Sequence, residues 1–135
     1  EYQGLGGRGL TSAIISREVP PAADPLGKQN KLILSAGILA ATTVPNNSRL
    51  SVGAKSTLTN TIKESNSGGA AAQKVARLGL QAIVIEGGAK ELTSLKIDKN
   101  GVTFIPATSY KEIGNYGVIE RLKKEFGNKV AVISI

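Results

Sequence analysis

Cysteine, histidine, methionine and tryptophan are all absent from this 135-residue sequence. Without cysteine there is no disulfide, no thiolate nucleophile and no thiolate-held iron–sulfur cluster. Without histidine there is no imidazole base and no zinc site of the usual nitrogen and sulfur kind. A metal would have to be held by oxygen ligands or arrive within a cofactor. Aromatic residues are limited to Tyr2, Phe104, Tyr110, Tyr116 and Phe126, so the core has to be built from Ile, Leu, Val and Ala. No apolar stretch is long enough to span a bilayer, and the first residues are not a basic segment followed by an apolar run. A cytoplasmic protein without membrane contact is expected. No pair of carboxylates stands at catalytic spacing, which leaves a hydrolase without support.

What is present is glycine and scattered positive charge. The 16 glycines fall largely in clusters, which predicts tight turns and close approach of backbone to a ligand. The formal net charge is +7, spread evenly along the chain. The densest basic run, Arg121, Lys123 and Lys124, is bracketed by Glu120 and Glu125 and reads as a solvated helix face. Even spread and sparse aromatics argue for solubility rather than a nucleic-acid partner. The alternative, a non-enzymatic basic module for nucleic acid or a phosphorylated ligand, stays open on composition alone.

The patterning predicts helices and strands without regular alternation. Residues 10–19 read as a short helix after a glycine turn, with Leu10, Ala13, Ile14 and Arg17 on one face, stopped by Pro20-Pro21. Lys31–Ala36 is a buried strand, residues 42–48 a loop, and Leu50, Val52 and Ala54 mark a weaker strand. Residues 65–69 (SNSGG) read as a loop opening into a helix from Gly69 to Leu78, capped by Gly79. Ala82–Glu86 is the clearest buried strand, and residues 92–105 form a hairpin about Asn100-Gly101. Residues 116–126 form a helix with Val118, Ile119, Leu122 and Phe126 on one side, and Lys129–Ile135 a final strand. This mixture predicts an α+β fold of mixed β-sheets with a few helices, one domain over residues 1–135. The absent initiator Met and the terminal strand read as a segment of a longer chain.

Candidate binding residues follow from the glycine clusters. At Asn66-Ser67-Gly68-Gly69, two glycines before a helix let backbone N–H groups reach an anion. The competing reading is an ordinary cap supplied by Asn66 or Ser67. Lys-Ser/Thr does not follow, so this is no Walker loop. Gly6-Gly7-Arg8-Gly9 is a second cluster, where Arg8 either clamps a phosphate or is simply exposed on a turn. Arg49 ends a polar loop before a strand, either aimed into a cleft or a surface cation. Asp24 before Pro25 reads as turn chemistry, and Glu86 as a structural or functional carboxylate at a strand end.

Taken in order, these segments resemble a known family. GGRGL (6–10), DPLG (24–27), Asn30-Lys31-Leu32-Ile33, Arg49, Lys55-Ser56, Leu58-Thr59, SNSGG, Gly79 and AIVIEG (82–87) have the order and spacing of the first domain of the tungsten-containing aldehyde ferredoxin oxidoreductases. The resemblance runs through residues 5–90 and more weakly to the end. It implies an α+β domain whose sheets form a saddle under a tungsten, or less often molybdenum, bis-pterin. By the same resemblance Asn66 lies by a magnesium ion joining the pterin phosphates, and Gly68 lies against a pterin. Arg49 bridges the cofactor and a 4Fe-4S cluster, and Arg8, Ser67 and Gly69 join the cofactor-binding set. The cluster's ligands and the substrate channel belong to later domains, which explains a cysteine-free segment of an oxidoreductase. Ferredoxin, the remaining domains and a homo-oligomer are the implied partners. No side chain of this segment is expected to be catalytic. The sequence departs from the family at Gly37-Ile38-Leu39-Ala40-Ala41, where glycine–proline–leucine–threonine–glycine is usual. It departs again at Thr57, Asn60, Ala70 and Ala71.

Overall fold

A computed structural model of the chain describes residues 2–134. The chain forms two compact units, Glu1–Gly88 and Ala89–Ile135. The first contains α1 (Gly7–Glu18), β1 (Lys31–Ala36), β2 (Leu50–Lys55), β3 (Ile62–Ser67), α2 (Ala70–Arg77) and β4 (Ala82–Glu86). Its four strands form one antiparallel sheet in the order β3-β2-β1-β4. The fold is the expected α+β.

The central strand explains the arrangement. In β1, Ile33, Leu34, Ser35 and Ala36 are all buried, so both faces of the strand are covered. Alternation divides them. Ile33 joins Leu10, Ile14, Ile15 and Val19 under α1. Leu34 and Ala36 join Leu50, Ala72 and Val75 under α2. Each large aliphatic side chain taken out of water there contributes about 1.5–3 kcal/mol. A run such as Lys31–Ala36 is apolar on both sides because a helix lies on each.

Two glycines decide the packing. Gly53, opposite Ile33 and Glu64, lies beneath Thr11: a Cβ there would come within 2.7 Å of the Thr11 Cβ. Gly79, at φ +76, ends α2, and the Leu80 N–H turns back to the Val75 carbonyl (3.3 Å).

The second unit contains β5 (Thr93–Asp98) and β6 (Gly101–Pro106), a 3₁₀ turn at Thr108–Tyr110 and α3 (Gly114–Phe126). The strands pair from Thr93↔Pro106 to Asp98↔Gly101, as the hairpin reading expects. The turn is centred on Lys99 and Asn100, with the positive φ on Gly101 and the Asp98 carboxylate accepting the Asn100 N–H (2.8 Å). Val118, Ile119, Leu122 and Phe126 are half-buried.

Three elements differ from expectation. The first helix starts at Gly7 rather than residue 10, so the second glycine of GGRGL and Arg8 form its first turn. Ser65, Asn66 and Ser67 are the end of β3, not a loop, because β2 offers a free edge with which they pair. The final strand does not form: Lys129–Ser134 have no strand neighbour to supply a ladder, and Ile135 lies outside the described residues.

Candidate functional site

The proposed binding residues converge on one end of the first sheet. There β1 runs out into Gly37, β2 starts after Arg49 and β3 runs out into Gly68. The Gly37 N–H donates to the Arg49 carbonyl (3.1 Å) and Leu50 pairs with Ser67, so Arg49 and Gly68 flank the last rung. Alternation from the Ser51↔Asn66 pair sets Arg49, Asn66 and Gly68 on the α1 face, and Ser67 on the opposite one.

The glycine edge is open. No atom lies within 4 Å of where a Cβ would stand on Gly68 or Gly69. Gly69 adopts φ +108 and ψ −162, a region side chains avoid, and caps α2 without any side-chain hydrogen bond. Neither Asn66 nor Ser67 caps the helix. The Ser67 hydroxyl donates instead to the Gly68 carbonyl (3.1 Å). Arg49 is exposed, and its guanidinium has no hydrogen-bond or ion-pair partner among the described residues. The loop between Gly37 and Arg49 is held by Asn47, which donates to the Leu39 carbonyl (2.6 Å). Gln73 of α2 braces it, donating to Asn47 (2.7 Å) and accepting the Ala41 N–H (2.9 Å). Ile38 and Leu39 are exposed on this loop.

Arg8 and Asn66 meet at a residue that no motif singled out. Arg8 Nε (3.2 Å) and Asn66 Nδ2 (3.1 Å) both donate to Glu64 Oε2. Ser51 Oγ donates to Asn66 Oδ1 (2.9 Å). The other Glu64 oxygen is buried and unpartnered. The α1 start is seated on the same face: the Gly7 N–H donates to Ser35 Oγ (3.0 Å), which donates to the Gln81 carbonyl (3.0 Å). A single Glu in a strand of Lys, Ser and Asn carries no signal of this in the sequence. No group of three or more acidic, histidine or cysteine side chains that could hold a metal occurs among the described residues. No helix among them is long and apolar enough to cross a membrane.

At the other end of the sheet, Glu18, Lys28, Lys31 and Glu86 line an open depression of about 560 Å³. Glu86, noted in the sequence as structural or functional, ion-pairs with Lys31, which also reaches Glu18 (3.3 Å). The Tyr2 hydroxyl hydrogen bond (2.7 Å), aided by Lys31, holds the Glu18 carboxyl below its ordinary range. The Glu86 hydrogen bond, with Glu18, holds the Lys31 ammonium above its own. A lowered carboxylate stabilises the fold above its unfolded pKa and stops doing so as the pH falls through the folded one. Tyr2→Phe should therefore make the acid side of a melting-temperature profile less steep below about pH 5, an effect under about 1 kcal/mol for an exposed group. An unchanged acid limb would show that the Tyr2 bond does not act on Glu18.

The fold is an antiparallel α+β domain with a bare glycine edge near Arg49, a cation without a partner among the described residues. The family model described as "Aldehyde ferredoxin oxidoreductase, N-terminal domain" matches residues 1–135, and the chain belongs to that family. It is 36% identical over 132 residues to a tungsten-containing aldehyde ferredoxin oxidoreductase of Thermococcus kodakarensis, covering 97% of this chain and 22% of that protein. It is 42% identical over 87 residues to the enzyme of the same name from Pyrococcus furiosus, covering 64% of this chain and 14% of that one. The chain thus spans about a fifth of the length of such relatives. A solved active-site complex of benzoyl coenzyme A reductase with 1,5-dienoyl-CoA superposes with a TM-score of 0.88 at 30% identity, covering 92% of this chain and 19% of that one.

Proposed function

We propose that this chain cradles the cofactor of a tungsten bis-pterin oxidoreductase that oxidises aldehydes to carboxylic acids and passes electrons to ferredoxin. The observation that carries the reading is the open Gly68-Gly69 backbone one rung beyond Leu50↔Ser67, next to Arg49, whose guanidinium has no partner among the described residues. The donor set fits a polyanionic cofactor: bare backbone N–H groups, a free cation, and a neighbouring carboxylate already tied to Arg8. When bound, the metal supplies the two-electron chemistry. The residues here only hold and orient the group. Arg49, Gly68 and Gly69 form the edge, Ser67 braces the Gly68 carbonyl, and Arg8 acts through Glu64. Asn66, held by Ser51 and Glu64, would lie beside the cofactor's magnesium. The 4Fe-4S cluster, the aldehyde site and the ferredoxin contact belong to the rest of a cytoplasmic, homo-oligomeric enzyme. The 36% identity over 132 residues to a tungsten-containing aldehyde ferredoxin oxidoreductase supports aldehyde oxidation.

The test separates backbone from ligand. A Cβ at Gly68 meets no atom and the backbone there is outside the positive-φ region, so Gly68→Val should let the full-length protein melt normally while its tungsten and pterin per polypeptide fall. Gly69→Val should cost stability as well, about 1–3 kcal/mol, from its positive φ. Full tungsten occupancy in Gly68→Val would reduce SNSGG to a strand end and a turn, and the reading would fail.

A further inference from the structure

Three asparagines stand before serine or glycine: Asn47 before Ser48, Asn66 before Ser67 and Asn100 before Gly101. At such pairs the following backbone nitrogen can attack the asparagine's own amide carbon. A side chain on the following residue hinders that approach, and glycine has none.

The structure treats the three differently. The Asn47 amide donates to the Leu39 carbonyl (2.6 Å) and accepts from Gln73 (2.7 Å). The Asn66 amide donates to Glu64 (3.1 Å) and accepts from Ser51 (2.9 Å), and Ser67 lies in the sheet opposite Leu50. The Asn100 side chain is exposed and has no partner among the described residues. Its backbone N–H, by contrast, is held by the Asp98 carboxylate (2.8 Å). No atom lies within 4 Å of where a Cβ on Gly101 would stand, so the space beside the attacking nitrogen is open. Gly101 forms the last rung of the hairpin, Asp98↔Gly101, and an end rung frays at little cost.

We propose that Asn100 is a self-modification site, at which the exposed hairpin turn converts to isoaspartate and aspartate. Hydroxide removes the Gly101 N–H proton, and that nitrogen attacks Cγ of Asn100. A new C–N bond closes a succinimide ring, the bond from Cγ to the side-chain nitrogen breaks, and that nitrogen takes up a proton and leaves as ammonia. Water then opens the ring at either carbonyl. One opening gives aspartate; the other routes the chain through Cβ and Cγ, which is isoaspartate. Nothing is oxidised or reduced, and water is the sole co-reactant. Either product sets a second carboxylate beside Asp98, which is already paired with Lys96 (3.1 Å). Isoaspartate also adds a backbone atom to the turn at Lys99 and Asn100, on whose length the register from Thr93↔Pro106 depends. The converted hairpin is therefore looser.

The test uses the full-length protein, aged at mildly alkaline pH, native or in urea. Asn100→Gln is the control, since its longer side chain closes the corresponding ring far more slowly. Peptide mass spectrometry reads conversion at each asparagine. An isoaspartyl methyltransferase with S-adenosylmethionine titrates isoaspartate, and hydrogen exchange reads the hairpin. In the native protein Asn100 should convert at least roughly tenfold faster than Asn47 or Asn66, a barrier lower by about 1.4 kcal/mol. The rate should rise with hydroxide concentration. In urea the ratio should shrink, because Asn47 and Asn66 lose their partners. Amides of β5 and β6 should exchange faster in aged parent than in aged Asn100→Gln, with those of the first sheet unchanged. An Asn100 that stays intact in the native protein but converts in urea is protected by its turn, and the proposal is overturned. Native Asn47 or Asn66 converting as fast as Asn100, methyl transfer undiminished in Asn100→Gln, or hairpin exchange unchanged after conversion also overturns it.

Discussion

Gly53→Val is expected to destabilise the protein by about 3 kcal/mol, the upper end for overfilling a packed site. The first added atom already collides. A Cβ would stand 2.7 Å from the Thr11 Cβ, 3.0 Å from its hydroxyl and 3.2 Å from Ile15 Cδ1. Thr11 and Ile15 are buried side chains of α1. Relief therefore means lifting α1 from the sheet, which uncovers Leu10, Ile14 and Ile33. Gly53→Ala should show a smaller loss of the same kind, and Gly68→Ala almost none, since nothing lies near it. Urea midpoints of the three variants check this. Parent-like stability in Gly53→Ala would mean that α1 is not seated on this strand.

Lys55→Ala is expected to cost about 2–3 kcal/mol, since the buried Ala23 carbonyl loses its donor at about 1–3 kcal/mol and the part-buried Pro21 carbonyl loses a second bond. Lys55 is only 8% exposed and has no carboxylate partner among the described residues. Its ammonium donates to the carbonyls of Pro21 (2.5 Å) and Ala23 (2.6 Å). Its backbone N–H donates to Asn30 Oδ1 (3.0 Å), and its carbonyl accepts from Asn30 Nδ2 (3.1 Å). Through these bonds Lys55 and Asn30 tie the segment after α1 to the sheet. Lys55→Met keeps the apolar stem and isolates the lost donor. Lys55→Arg should not restore stability, because a rigid planar fork does not fit two carbonyls placed for an ammonium. Thermal melts of the three variants decide it; a Met variant as stable as the parent would show that the carbonyls find other donors.

Much of the first unit was legible because its signals are local. Lys31–Ala36 and Ala82–Glu86 form strands over the expected bounds, but Ala82–Glu86, expected to be buried, is an edge strand with no fully buried residue, because its place at the sheet margin is set by the fold and not by its apolar run. Gly79 ends α2 where a positive φ is required, and Asp98 to Gly101 turn the hairpin. The family likewise stands on motif order, which needs no coordinates. The SNSGG loop reading failed because Ser65, Asn66 and Ser67 carry turn chemistry locally, and only the free edge of β2 makes them strand. Residues 129–134 failed in the opposite sense: their alternation suits a strand, and no strand pairs with them.

The sequence by itself determined the α+β class, the glycine punctuation, the absence of thiol and imidazole chemistry, and the family. The tertiary structure alone decided which residues meet. Arg8 and Asn66 are far apart in the chain and share a carboxylate; Asn30 and Lys55 complete each other's hydrogen bonds across 25 residues. Gly53 looked like any strand glycine until Thr11 lay over it. The physical reason is one of range. Propensity, capping and turn chemistry act within a few residues and leave a local pattern. Close packing and the pairing of buried polar groups depend on which surfaces the fold brings together.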